Sequence, residues 1–84
     1  MKLFVLLIMI VGVLFASVDM NNADAKAFKH LKGVGPKKAE AIVAYRKIHG
    51  CFTSIDGLIL VKGIGKKTLQ KNRTDLVLGK CKKD

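Results

Sequence analysis

One heptapeptide occurs twice in this chain, and it limits the fold more than any other feature. Leu31-Lys32-Gly33-Val34-Gly35-Pro36-Lys37 returns as Val61-Lys62-Gly63-Ile64-Gly65-Lys66-Lys67, thirty residues later. The same register pairs Asp24 with Ser54 at candidate helix N-caps, Phe28 with Leu58, and Cys51 with Cys81. A single Gly-apolar-Gly triplet is weak evidence. Duplicated, with Lys on both sides and an apolar residue preceding each copy, it implies two copies of one supersecondary unit. At 84 residues the chain holds one small domain at most, which excludes a barrel, a dinucleotide-binding fold or a multi-domain enzyme.

Each unit reads as helix, tight hairpin, helix. In the first, Asp24 caps a short helix with Ala25, Phe28 and Leu31 as its apolar positions. Gly33 stops that helix, because glycine tolerates the left-handed conformation a tight turn needs. Pro36 suits the first position of the next helix, where a missing N–H is harmless. That helix runs to about His49, with Ala39, Ile42, Val43, Tyr45 and Ile48 available for burial, and Gly50 ends it. In the second unit Ser54 caps Ile55 to Val61, with Leu58 and Ile59 facing inward. Gly63-Ile64-Gly65 turns the chain, Lys66 opens the last helix with Leu69 on its apolar side, and Leu76, Val77 and Leu78 close the domain. No stretch alternates apolar and polar over five or more residues, so an all-α fold of four to five short helices is expected.

Charge and hydropathy are unevenly spread. Residues 1–18 hold fifteen of the forty-two apolar residues and a single charge, Lys2. The remaining sixty-six residues carry fifteen positive and six negative charges, most of the net +10. The leader reads as a secretory signal over 1–17: Lys2 is a minimal positive region, Leu3 to Phe15 is apolar apart from Gly12, and Ala16 and Ser17 are small. The apolar run ends at Val18, short of the ~20 residues of a spanning helix. An anchor retained through residues 3–18 is the alternative. Cleavage after Ala16 or Ser17 leaves the domain intact, whereas Ala23-Asp24-Ala25 is a better-looking cleavage motif but lies at the start of the first helix. Residues 79–84, with Lys80, Lys82 and Lys83, form a basic tail.

The residues Asn21-Asn22-Ala23-Asp24, Leu31 through Ala39, Ala44-Tyr45-Arg46, His49-Gly50 with Phe52, and Val61-Lys62-Gly63-Ile64-Gly65 with Lys67-Thr68-Leu69 resemble those of ComEA-type competence proteins, DNA receptors of natural transformation. The resemblance covers residues 21–78 and implies a tandem helix-hairpin-helix domain. It also implies a periplasmic location after export, double-stranded DNA as partner, and an inner-membrane DNA-uptake channel as a further partner. Lys32 and Cys51 stand where such proteins usually carry Pro, and Asn72 and Asp75 where the residues are usually apolar. Gly57, within the third helix, weakens it by about 1 kcal/mol relative to Ala.

The hairpins support the same chemistry on physical grounds. A Gly-apolar-Gly turn leading into a helix exposes backbone N–H groups, which with the positive end of the helix dipole suit a phosphate oxygen. The candidate DNA-binding residues are Gly33, Val34, Gly35, Lys37 and Lys38, then Gly63, Ile64, Gly65, Lys66 and Lys67. Pro36 has no N–H, so Gly35, Lys37 and Lys38 supply the donors of the first hairpin. Backbone donors and Lys read phosphates rather than bases, so binding is expected to be independent of sequence.

Phe28, Tyr45 and Phe52 at helical spacing read as core fillers rather than base-stacking groups. His30, His49 and the two cysteines show no metal-ligand spacing, and no cofactor or small-molecule substrate is implied. The acidic residues Asp19, Asp24, Glu40, Asp56, Asp75 and Asp84 are isolated, so an enzyme is not expected. The rival reading is a secreted cationic protein acting on membranes or other anionic polymers, which calls for one long amphipathic helix. Cys51 and Cys81 occupy equivalent repeat positions; export would favour a bridge between them, and two independent thiols remain the other possibility.

Overall fold

In the computed structural model residues 17–81 are described. Residues 1–16 of the signal expected over 1–17, or of the anchor expected over 3–18, and the tail lysines Lys82 and Lys83 lie outside them. Asp24 caps the first helix as its side chain allows: the Ala27 N–H donates to Asp24 Oδ1 at 2.9 Å. This helix, α1, spans Ala25–Phe28. Pro36 opens α2, Pro36–His49, and Gly50 closes it. A 3₁₀ helix, η1, spans Ile55–Leu60 and is followed by α3, Lys66–Asn72, and a single 3₁₀ turn, η2, at Arg73–Asp75. Ser54 precedes η1 without a side-chain capping bond.

The fold is all-α apart from one feature that periodicity did not reveal. Val18–Asp19 (β1) and Leu76–Val77 (β2) form a parallel two-residue pair, Val18 opposite Leu76. Strands this short carry no alternation to detect, and only the folded chain brings the two ends together. The folded unit therefore begins before residue 21: Val18 and Met20 are both buried.

The core draws on both units. Phe28 and Ile42 from the first, Leu58 and Val61 from the second, and Met20 from the N-terminal segment are its largest fully buried apolar side chains. Two expected core residues face outward. Ile48 is 77% exposed; at 100° per residue it lies half a turn from Ala39, opposite the buried stripe of α2. Ile59 is 37% exposed. Its element is 3₁₀, so the inward face repeats every three residues through Ile55, Leu58 and Val61 and leaves Ile59 about 120° away. Leu76 is buried, but Val77 and Leu78 are exposed. Gly57 sits beside the Phe52 ring, where an added β-carbon would lie 3.4 Å from Cδ1.

Residues 19–22 stitch the chain ends to the middle. Asn21 accepts from the Phe52 N–H at 2.7 Å and donates to the carbonyls of Phe52 and Gly79 at 3.2 and 2.9 Å. Asp19 Oδ1 accepts from the N–H groups of Asn21 and Gly79, both at 2.9 Å, and its Oδ2 accepts from Asn22 Nδ2 at 2.7 Å. Burial pushes the Asp19 carboxyl up, but the hydrogen bonds from Asn22, Asn21 and Gly79 together outweigh it and hold the group below its ordinary value. Beside this seam Cys51 and Cys81 are joined by a disulfide, with Cα atoms 5.7 Å apart.

Candidate nucleic-acid interface

The two hairpins close in the same way. The Val34 N–H donates to the Leu31 carbonyl at 3.2 Å, and the Ile64 N–H donates to the Val61 carbonyl at 3.0 Å. Gly33 and Gly63 have φ of 76° and 93°, a conformation that side chains other than glycine rarely adopt. Val34 and Ile64 turn their side chains into the core, where they are 4% and 5% exposed. Only the backbone of these two candidate DNA-binding positions is free to meet a ligand.

The second glycine of each triplet behaves differently. Gly35 (φ −89°, ψ −172°) and Gly65 (φ −104°, ψ −179°) are extended, a conformation open to any residue. A β-carbon built on either would meet nothing within 4 Å. Nothing inside the protein requires glycine at these places. Each is the N-cap of its helix and provides no side-chain cap. Helical bonding begins with the Ala39 N–H donating to the Gly35 carbonyl at 2.9 Å and the Leu69 N–H to the Gly65 carbonyl at 3.1 Å. The first-turn N–H groups before those residues therefore open beside an unobstructed glycine.

Lysines flank both openings in the sequence. Lys32, Lys37, Lys62, Lys66 and Lys67 are exposed and Lys38 is half-buried. Lys38 does not stay with its own hairpin. Its aliphatic stem lies over the second one, with Cγ and Cε each 3.8 Å from where a β-carbon of Gly63 would sit. Thr68, at the equivalent place in the second unit, puts its hydroxyl 3.9 Å from the corresponding position on Gly33. The two hairpins are thus neighbours, each first glycine facing the other unit's second helix.

Three residues named in the sequence without a role at this interface support it in the fold: Thr68, Asn21 and Asn72. Asn72 carried a readable signal, since it occupies the repeat position of Ile42, a fully buried site. Phe28 and Phe52 are buried, and half-buried Tyr45 stacks on Phe52 and His49 at ring-centroid distances of 5.6 and 4.1 Å. Among the described residues no group of three or more His, Cys, Asp or Glu could hold a metal ion, and no helix is long and apolar enough to cross a membrane. The longest described helix, α2, has 14 residues, so the long amphipathic helix of a membrane-active protein is not present among the described residues.

Comparison with known proteins agrees with this architecture. An uncharacterized protein of Haemophilus influenzae is 49% identical over 61 residues, covering 71% of this chain and 54% of that protein. ComE operon protein 1 of Bacillus subtilis is 40% identical over 63 residues, 75% of this chain and 31% of that protein, which bears out the resemblance to ComEA-type proteins. Kinesin-like protein KIF22 of Mus musculus is 35% identical over 51 residues, 61% of this chain and 8% of its own length. The chain spans about half the length of the first of these relatives and under a third of the second. A family model described as the helix-hairpin-helix motif matches residues 13–77, taking in both hairpins and every described helix, and the chain belongs to that family.

Proposed function

We propose that this chain binds double-stranded DNA without sequence preference, gripping phosphates of both strands across the minor groove through its two hairpins. One observation carries the reading. Gly35 and Gly65 are glycines that neither backbone conformation nor internal packing demands. An external group approaching the backbone closely explains them, and the exposed lysines make an anion the fitting group. The first hairpin would use the N–H groups of Gly35, Lys37 and Lys38, and the second those of Gly65, Lys66 and Lys67. With a net charge of +10 the chain has the electrostatic footprint of a nucleic-acid binder. It acts as a binding protein and not as an enzyme.

The biological role that fits is DNA uptake in natural transformation, as a receptor that passes DNA to an inner-membrane channel. Similarity to ComE operon protein 1 supports it. The leader would place the domain in the periplasm, either released by cleavage or held by residues 3–18. Cleavage after Ala16 or Ser17 keeps β1, Met20 and the Asp19–Asn22 stitches, whereas cleavage within Ala23-Asp24-Ala25 would remove them all. N-terminal sequencing of the exported protein is expected to find a residue no later than Val18.

The direct test is a salt titration of duplex binding. If four to six phosphates are neutralised, log K against log salt should fall with a slope of about −4 to −5, alike for unrelated sequences. A flat response, or a strong preference for one sequence, overturns the phosphate grip. Lys37→Ala and Lys67→Ala should each reduce the slope by about 1.

A further inference from the structure

Asn72 is the only fully buried polar side chain among the largest buried ones of the described core, 1% exposed. Its amide reaches across from α3 to the first hairpin. Oδ1 accepts from the Lys32 N–H at 2.7 Å, and Nδ2 donates to the Lys32 carbonyl at 2.9 Å. A third bond, from Nδ2 to the Thr68 carbonyl at 2.8 Å, ties the amide to its own helix. Lys32 directly precedes Gly33, the residue that sets the hairpin's turn. Bonding both the N–H and the C=O of one residue fixes that stretch of backbone in position and direction, as a pairing strand would.

The repeat shows that the clamp is one-sided. The position of Asn72 in the first unit is Ile42, which packs in the core and has no polar atom to offer. Among the described residues no side chain forms the matching pair of bonds to Lys62. The second hairpin is bordered by the Lys38 stem, and the first is held by hydrogen bonds as well as packing. An apolar residue would fill the site as Ile42 does, so burial alone does not call for an amide at position 72.

From this we infer that Asn72 is a positioning residue: through Lys32 it holds the turn of the first hairpin in the geometry that meets a phosphate. Asn72 touches no DNA in this arrangement; it acts through Lys32 and the turn that follows. The role rests on the phosphate-grip reading proposed above. It adds that the first hairpin's contribution depends on the second unit, while the second hairpin's does not depend on position 72.

The test combines Asn72→Leu with each hairpin in turn. Leu has the branching of Asn without its polar atoms, as Ile42 has none at the matching place, and circular dichroism with a melting curve verifies the fold. Duplex affinity of the wild-type chain, Asn72→Leu, Gly35→Val, Gly65→Val and the two double variants is then measured at one salt concentration. Asn72→Leu is expected to weaken binding about tenfold and to reduce the salt slope by about 1. It should add little on top of Gly35→Val and its full effect on top of Gly65→Val, because residues acting through one element are not additive. Amide hydrogen exchange without DNA gives a second readout. Lys32 and Val34 should exchange at least tenfold faster in Asn72→Leu, with Ile64 unchanged within about twofold. An equal loss of affinity in both backgrounds, equal acceleration in both hairpins, or no loss at all overturns the positioning role. A wild-type chain that binds no duplex overturns the DNA reading, and this role with it.

Discussion

The carboxylate of Asp19 fills the space that a β-carbon on Gly79 would need. A methyl group there would overlap both carboxylate oxygens and Cγ, while the Gly79 N–H donates to Oδ1 at 2.9 Å. Gly79 is a glycine for close approach between the two ends of the chain. This contact belongs to a seam in which Asp19, Asn21 and Asn22 bind the backbone of Phe52, Gly79 and Lys80. Gly79→Ala should therefore destabilise the oxidised protein by about 1–3 kcal/mol, as Asp19 is displaced from its backbone donors. A melting temperature unchanged within error would show that the seam opens at little cost.

The same carboxylate predicts a response to acid. Hydrogen bonds hold the folded Asp19 below its ordinary value of 3.8. A group depressed on folding binds its proton more readily when unfolded, so its contribution is complete above the unfolded value and is lost as pH falls through the folded one. Stability should decline as pH drops below about 4. In Asp19→Asn the decline over that interval should be shallower, measured by urea unfolding at a series of pH values. An identical pH profile in the variant would remove Asp19 as the source.

The two glycines of each triplet should separate stability from binding. Gly33→Ala and Gly63→Ala force a side chain into a positive-φ conformation and should cost about 1–2 kcal/mol of stability. Gly35→Val and Gly65→Val meet open space and extended backbone, so the variants should stay folded while duplex affinity falls tenfold or more. Melting curves and binding isotherms on the four variants check this. Wild-type affinity in a folded Gly35/Gly65 double variant would place the DNA site elsewhere.

The Cys51–Cys81 disulfide should be present in protein recovered from an oxidising compartment, seen as a mass two hydrogens lighter than the dithiol. It spans 30 residues, and reduction should cost up to about 3.5 kcal/mol in the chain-entropy picture. Two freely alkylated cysteines in the isolated protein would remove the bridge from this account.

The features legible from residue order alone are local ones. The repeat, the Asp24 cap, the positive-φ turns at Gly33 and Gly63, Pro36 at the start of α2 and Gly50 at its end all follow from the chemistry of a few adjacent residues. Those short-range rules placed the hairpins and their paired glycines. Features that depend on distant partners emerge only once the chain is folded. Helical periodicity makes Ile48 available for burial and turns Ile59 inward, but Ile48 lies opposite the buried stripe and Ile59 belongs to a 3₁₀ turn with a different inward period. Asn72 is polar where its repeat partner Ile42 is apolar, and its amide bonds the backbone N–H and C=O of Lys32, forty residues away in sequence. The β1–β2 pair and the Asp19–Gly79 contact likewise join segments nearly sixty residues apart. A buried polar group is stable only where a matching donor and acceptor meet it, and only the folded chain brings those partners within reach.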